Sequence, residues 1–390
     1  MQVLLFARLV VGSSRGELEL CLALFAMLST FTIFVLLKQQ LKLNIMKKYF
    51  SLLSILLIVA FLTVVSACSG GATTSEKKQK TQEQWAIAIH GGAGGAPRSM
   101  TDERKAEYEK HLLEALEIGK QMLSEGRSAL DVVERVAIYM EDCPLFNAGK
   151  GAVKNIDGIH ELDAAIMDGS NLMAGAVAGL RDVKNPIKAA RLVMDSTSHV
   201  FLIGEGASAF AKTMNLEIVE NSYFSTPART QQLEQIRRNQ EQPNPGGTIG
   251  CVALDMNGNL AAATTTGGMS GKKWGRVGDV PVIGAGTYAN NNTVAVSGTG
   301  HGELWIRRAV AFDISALVDY KGMSLEEAAN EVIFKKIDPM GGSGGGIISV
   351  DKYGNISLVF NTGLMHRAWA KSSGEYGVGV LKGEEKVFGM

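Results

Sequence analysis

A polar stretch rich in Gln, Asn, Arg and Pro, from Ile218 to Gly247, divides a chain whose two flanks are built from the same parts. On each side, short apolar runs of strand character alternate with segments of helical periodicity. Strands and helices on both sides of one polar divider predict a layered α/β sandwich whose core needs both halves. The divider itself reads as an exposed, mobile segment, the natural place for a chain to be cut.

Before the divider, Trp85–Ile89 reads as a buried strand closed by His90-Gly91-Gly92-Ala93-Gly94-Gly95. Helices are expected from about Thr101 to Glu125 and from Ser128 to Glu141, the second with Ser128 as its N-cap. Strands follow at Gly151–Lys154 and Leu162–Met167, then helices near Pro186–Met194 and Gly204–Thr213. After the divider, Ile249–Leu254 and Leu260–Thr265 flank the turn Asp255-Met256-Asn257-Gly258-Asn259. A second hairpin pairs Ile347–Val350 with Ile356–Phe360. Helices near Glu303–Tyr320 and Ser324–Lys335 lie between the hairpins, and Ser324 with Glu327 forms a capping box.

The first 84 residues are set apart from fold reasoning. Met46-Lys47-Lys48 opens a basic region, Tyr49–Val65 is an apolar core, and Val65-Ser66-Ala67-Cys68 follows. This pattern reads as a bacterial lipoprotein signal over 46–67 with Cys68 acylated; an ordinary secretory signal cleaved near Ala67 is the alternative. The first places the protein in the bacterial cell envelope, touching the membrane only through a lipid anchor; the second leaves it periplasmic or secreted. Residues 1–45 read as upstream sequence before a true start at Met46, or as a membrane helix from about Leu18 to Leu37. Residues 68–84 form a flexible tether.

Acidic and basic residues balance at 39 each, and no basic stripe with interleaved aromatics appears, so nucleic acid is not an expected partner. Cys143 and Cys251 each sit in an apolar run, which favours buried free thiols over a disulfide between them.

Four Thr/Gly clusters each follow or end a strand-like run, and so can share one sheet edge: Gly247-Thr248, Thr264–Gly268, Gly275–Asp279 and Ser297–Glu303. A cut before Thr248 would give it a free α-amine beside its own hydroxyl. Such an amine, with a pKa of about 7.7–8.0, can act as the base that a weak hydroxyl nucleophile needs. A second hydroxyl such as Thr266 can orient that amine, and Thr299 with the Gly300 amide can donate to an oxyanion. Arg276 can take a carboxylate bidentately and Asp279 can accept from an ammonium. The blander alternatives are a surface ion pair for Arg276 and Asp279, and plain strand residues for Thr264–Thr266. Gly298–Gly302 lacks the full spacing of a dinucleotide loop, and His90 and His301 lack the companions of a metal site.

The ordered set of motifs resembles the plant-type L-asparaginase/isoaspartyl peptidase family of N-terminal nucleophile hydrolases. It comprises Ala88–Gly94, Pro144–Gly149, Glu161–Gly169, Ala174–Gly179, Gly247–Gly250, Gly275–Asp279 and Phe360-Asn361-Thr362. The resemblance implies an α+β four-layer αββα sandwich with two antiparallel sheets between helix layers. It implies autocatalytic cleavage between Gly247 and Thr248, leaving an α subunit (85–247) and a β subunit (248–390) that together form one catalytic domain and associate as a dimer of αβ pairs. Thr248 would then attack L-asparagine or a β-aspartyl dipeptide through a covalent ester, with no cofactor for catalysis. Thr266 would assist, Thr299 and Gly300 would form the oxyanion hole, and Asn147 would position the catalytic Thr. Arg276, Asp279 and Gly302 would hold the substrate's amino-acid end. A structural sodium would lie on the backbone carbonyls of Met140, Glu141, Cys143, Phe146, Ala148 and Lys150. His366 departs from the family's more frequent Tyr before Arg367, which bears on the wall of the substrate pocket. Two rival readings are a glycosylasparaginase of the same fold and a non-catalytic, amino-acid-binding lipoprotein.

Overall fold

The computed structural model describes residues 83–94, 100–239, 247–341 and 344–389, with the backbone of 244–245. The leader, including Cys68, lies outside the described residues, as does the tether apart from 83–84. Before Gly247 come β1 (Ala86–Gly94), α1 (Asp102–Ser124), α2 (Ala129–Asp142), β2 (Leu162–Asp168), β3 (Ala174–Leu180), α3 (Pro186–Ser196), β4 (Phe201–Ile203), α4 (Gly204–Thr213) and α5 (Pro227–Asn239). Then follow β5 (Asn244–Pro245), β6 (Ile249–Leu254), β7 (Leu260–Thr266), β8 (Met269–Ser270), β9 (Thr287–Ala289) and β10 (Val294–Gly300). The chain continues through α6 (Gly302–Arg308), α7 (Val310–Lys321), α8 (Leu325–Asn330), β11 (Gly345–Asp351), β12 (Ile356–Phe360), β13 (Leu364–Lys371), β14 (Tyr376–Leu381) and β15 (Glu385–Phe388).

A nine-stranded sheet runs β15-β14-β13-β1-β6-β7-β2-β3-β4, and a four-stranded sheet runs β12-β11-β10-β9. All neighbours pair antiparallel except β3 and β4, which are parallel. The period-2 alternation of β1 sorts its side chains between two cores. Ile87 and Ile89 join Leu112 and Leu116 of α1 and Val132 and Val136 of α2. Ala86 and Ala88 face the other way and join Val296 of β10 and Ile347 of β11. Bulky residues thus fill the helix–sheet layer, while small ones let the sheets approach. Helices α7 and α8 close the far side against the smaller sheet through Ile314, Leu325 and Ala328. The layers are helix, sheet, sheet, helix.

The caps form as their sequences dictate. Thr101 and Ser128 each accept a backbone N–H three residues on, from Arg104 and Asp131, and Ser324 with Glu327 makes both bonds of the capping box. Cys143 and Cys251 are buried free thiols.

Five expectations need correction. Gly151–Lys154 is not a strand; Lys154 makes only an isolated bridge to His160, because this segment is a turn wound around Asn147 and Asn155. The divider is not wholly irregular. It contains a 3-10 turn, Asn221–Phe224, and α5, which buries Leu233 and Ile236 and anchors Arg229 Nε to Gly151 O at 2.7 Å. Two apolar residues at helical spacing were enough to dock an otherwise polar helix. The helix expected over Glu303–Tyr320 breaks at Ala309, whose φ is 47°, and the one expected from Ser324 continues beyond Asn330 as a π-helix. Finally, the Thr/Gly clusters do not share one sheet edge: β6 and β7 belong to the large sheet and β10 to the small one.

The sheets meet closely at Gly250. A Cβ there would overlap Ser297 Oγ and lie 2.5 Å from His90 Nε2. Gly250→Ala is therefore expected to cost about 1–3 kcal/mol through overpacking, read as a lower urea midpoint at unchanged slope.

Candidate active site

Thr248 lies immediately before β6, buried between the two sheets. Gly92, at a φ of 112° that an L side chain rarely adopts, lets β1 pass close to the Gly247–Thr248 peptide. A Cβ on Gly92 would sit 2.9 Å from Gly247 Cα and 3.1 Å from Thr248 N.

Three side chains converge on the Gly247 carbonyl oxygen. Asn147 Nδ2 donates at 2.8 Å, Thr266 Oγ1 at 3.1 Å, and Thr248 Oγ1 lies at 2.9 Å. Each is itself held. Asn147 Oδ1 accepts from Val153 N at 2.8 Å, and its second amide proton goes to Gly268 O at 2.8 Å. Thr266 Oγ1 accepts from Gly268 N at 3.0 Å, which leaves its hydrogen for Gly247. Thr248 Oγ1 and Thr266 Oγ1 are 3.3 Å apart. Such a ring of donors suits a carbonyl whose oxygen gains negative charge when its carbon is attacked.

Arg276, Asp279 and Gly302 form a second cluster. The position of a Cβ on Gly302 is 2.7 Å from Asp279 Oδ1 and 2.8 Å from Arg276 Nη2, so no side chain fits. Arg276 and Asp279 do not form an exposed pair. Instead, Nε and Nη2 of Arg276 bind Glu303 bidentately at 3.0 and 2.9 Å, and His301 Nε2 stands 3.4 Å from the same carboxylate. Asp279 is buried, and its Oδ2 has no partner among the described residues. Burial pushes its carboxyl up to about 7, against the opposing pull of Arg276. Asp163 on β2, the cross-strand neighbour of Thr266, is also raised by burial.

Thr299 and Gly300 end β10 in the opposite sheet. Thr299 Oγ1 accepts from Ala93 N at 3.1 Å, which ties the sheets together beside Gly92, but no direct bond joins it to Thr248. The carbonyl-bearing loop from Met140 to Lys150 is attached to the site through Asn147. His366 lies behind Gly91, its Nδ1 donating to Gly91 O at 3.3 Å and its ring stacked on Tyr108 at 4.0 Å.

The model of the family described as Asparaginase matches residues 83–380. This chain belongs to that family. Isoaspartyl peptidase of Escherichia coli K12 is 50% identical over 295 residues, covering 73% of this chain and 92% of that protein. Isoaspartyl peptidase of Salmonella typhimurium is 51% identical over 295 residues, with 73% and 94% covered. The probable isoaspartyl peptidase/L-asparaginase 2 of Arabidopsis thaliana is 39% identical over 319 residues, with 74% and 97% covered. The family is one of N-terminal nucleophile hydrolases, and the layered α+β architecture agrees with its sandwich.

Several residues around the family's site carried no role in the sequence reading. Glu303 and Ser297 stand inside a quoted cluster but have partners that are remote in sequence. Lys272 is a buried ammonium that donates to Glu161 O at 2.9 Å. Nothing in a Gly-Lys-Lys run marks its first lysine as the buried one.

Asp279 supplies a stability test. Its folded pKa of about 7 is raised above the ordinary carboxylate value, so its contribution is full at low pH and is lost as pH rises through about 7. Buried His90, His160 and His366 have lowered values and oppose this, while buried Glu141, raised to about 8, acts in the same direction, so the share of Asp279 is read against Asp279→Asn. Relative to Asp279→Asn, the melting temperature of the wild type is expected to fall as pH rises from about 5 to about 8.

Proposed function

We propose that this chain is a self-processing hydrolase that cleaves β-aspartyl (isoaspartyl) dipeptides and L-asparagine through an N-terminal threonine. The supporting observation is the Gly247 carbonyl, held by Asn147 and Thr266 with the Thr248 hydroxyl 2.9 Å from its oxygen. The identity to isoaspartyl peptidases over nearly their whole length supports the substrate class.

In the uncut chain, Thr248 Oγ attacks the Gly247 carbonyl carbon, and Asn147 and Thr266 stabilise the oxyanion. The C–N bond breaks as the nitrogen takes the proton given up by the hydroxyl. Water then hydrolyses the ester, releasing a Gly247 carboxylate and restoring the Thr248 hydroxyl beside the α-amine already freed. In the mature enzyme that amine takes the Oγ proton as Oγ attacks the substrate's β-carbonyl, with Thr299 and the Gly300 amide serving the new oxyanion. Ammonia or the leaving amino acid departs with the proton. Water hydrolyses the β-aspartyl ester to aspartate. Arg276 receives the α-carboxylate by the guanidinium edge that Glu303 leaves free, while Asp279 and Gly302 receive the ammonium.

Cleavage would not separate the fragments, because β1 and β2 precede the cut yet pair with β6 and β7 after it. Intact-mass spectrometry is the test. Wild type should give two fragments, the smaller starting at Thr248, and should release leucine from β-Asp-Leu but no product from GlcNAc-Asn. Thr248→Ala should remain one chain and be inert. A processed, active Thr248→Ala protein would overturn the mechanism; cleavage of GlcNAc-Asn alone would favour a glycosylasparaginase, and tight asparagine binding by an uncut wild type a binding lipoprotein. In protein made from Met46, the mass of the larger fragment also reads acylation at Cys68, which is our proposal for anchoring in the bacterial envelope. Its native mass reads the dimer of αβ pairs.

We also assign a structural sodium to the carbonyls of Met140, Glu141, Cys143, Phe146, Ala148 and Lys150. Two observations fit it: the carbonyls of Phe146, Ala148 and Lys150 accept no hydrogen bond among the described residues, and Glu141 is buried with Oε2 unpartnered there. The ion would fix the loop that presents Asn147. Melting should rise in sodium chloride over choline chloride of equal ionic strength; equal melting would refute the assignment.

A further inference from the structure

The glycine-rich end of β1 begins with a histidine that the mechanism above does not use. His90 is fully buried in the gap between the sheets. Its Nδ1 is 3.0 Å from Thr248 O and its Nε2 is 2.9 Å from Ser297 Oγ. A carbonyl only accepts, so Nδ1 carries the proton. Burial pulls the ring's pKa down to about 3, so Nε2 is bare and must accept from Ser297. Ser297 in turn accepts from Thr264 at 2.8 Å, and Thr264 from Thr287 at 2.7 Å. A one-way chain of neutral donors, Thr287 to Thr264 to Ser297 to His90, thus ends on the backbone of Thr248.

The position of that last bond matters. The β1–β6 ladder stops at the pair His90 and Gly250, and the β6–β7 ladder starts at Ile249 and Thr265. Thr248 lies one residue outside the β6–β7 ladder and two outside the β1–β6 ladder. Before any cut, its nitrogen is held by the chain through Gly247. After a cut it is a chain terminus, and unsecured termini fray.

We propose that His90, locked as its Nδ1–H tautomer by Ser297, is a positioning residue that holds the carbonyl of Thr248 and so keeps the freed α-amine beside its own hydroxyl. The proposal rests on the function given above. It makes His90 important to turnover and to self-cleavage, with little bearing on substrate affinity, because its contacts are on the nucleophile's backbone and none is with Arg276 or Asp279.

The test compares two amides in the full catalytic chain. An Asn side chain can place an amide near the position of Nδ1, and a Gln side chain near that of Nε2. His90→Gln should lower kcat for β-Asp-Leu and the self-cleavage rate by about tenfold or more, the usual scale for one misplaced positioning contact, with KM within about twofold of wild type. His90→Asn should recover most of both rates at a melting temperature no higher than that of His90→Gln. Ser297→Ala removes the tautomer lock, leaves the Thr264 hydroxyl to Gly286 O, and should lower kcat a few-fold. Nitrogen NMR of histidine-labelled protein should show a protonated Nδ1 and a bare Nε2 on His90. A His90→Gln enzyme with wild-type kcat, a His90→Asn enzyme as slow as His90→Gln, or a protonated Nε2 would overturn the proposal. If wild type neither cuts itself nor hydrolyses β-Asp-Leu, the functional assignment fails, while the NMR measurement still decides whether His90 holds Thr248.

Discussion

The ladder between β1 and β6 is the constraint on which the remaining structure depends. It pairs Ala86–His90 from before the divider with Gly250–Leu254 from after it. Its alternating faces send Ile87 and Ile89 into the helix layer and Ala86 and Ala88 toward the second sheet. Its far end delivers His90 and Gly92 to Thr248. A single register therefore sets the two hydrophobic layers and the surroundings of Thr248. A slip of one residue would exchange the faces and turn His90 into the helix layer.

Tight sheet packing governs the chemistry available at the site. The gap at Gly250 leaves no room for added atoms, so the polar groups lining it must satisfy one another. They do so with neutral hydroxyls and one neutral imidazole, which avoids the cost of burying charge. The charged groups gather instead around Arg276, where Glu303 occupies one edge of the guanidinium. Asp279, Asp163 and Glu141 are exceptions, each buried with an oxygen unpartnered among the described residues, which is a costly state.

Much of this was legible in the sequence because the signals were local. Capping residues placed two helix starts, alternation placed the β6–β7 hairpin, and the Gly247-Thr248 junction stood out between a polar stretch and a strand. The misses have physical causes too. Helix α5 looked irregular because only Leu233 and Ile236 mark its buried face. Strands β13 to β15 escaped notice because their pairing partners, not their composition, make them strands. Ala309 breaks a continuous helical pattern through a left-handed φ that no glycine announces.

By itself the sequence determined the element types, the dividing segment, the family and the residue types that chemistry of this kind requires. Those follow from propensity, periodicity and motif order, all of which are properties of neighbours along the chain. Only the tertiary structure decided which groups meet. It drew Asn147, Gly247 and Thr266 to one carbonyl, gave Arg276 to Glu303 rather than Asp279, and set His90 against Thr248 across 158 residues of sequence. Those meetings depend on the register of two sheets packed face to face. That register is set by the whole buried core at once, and no single stretch of chain encodes it.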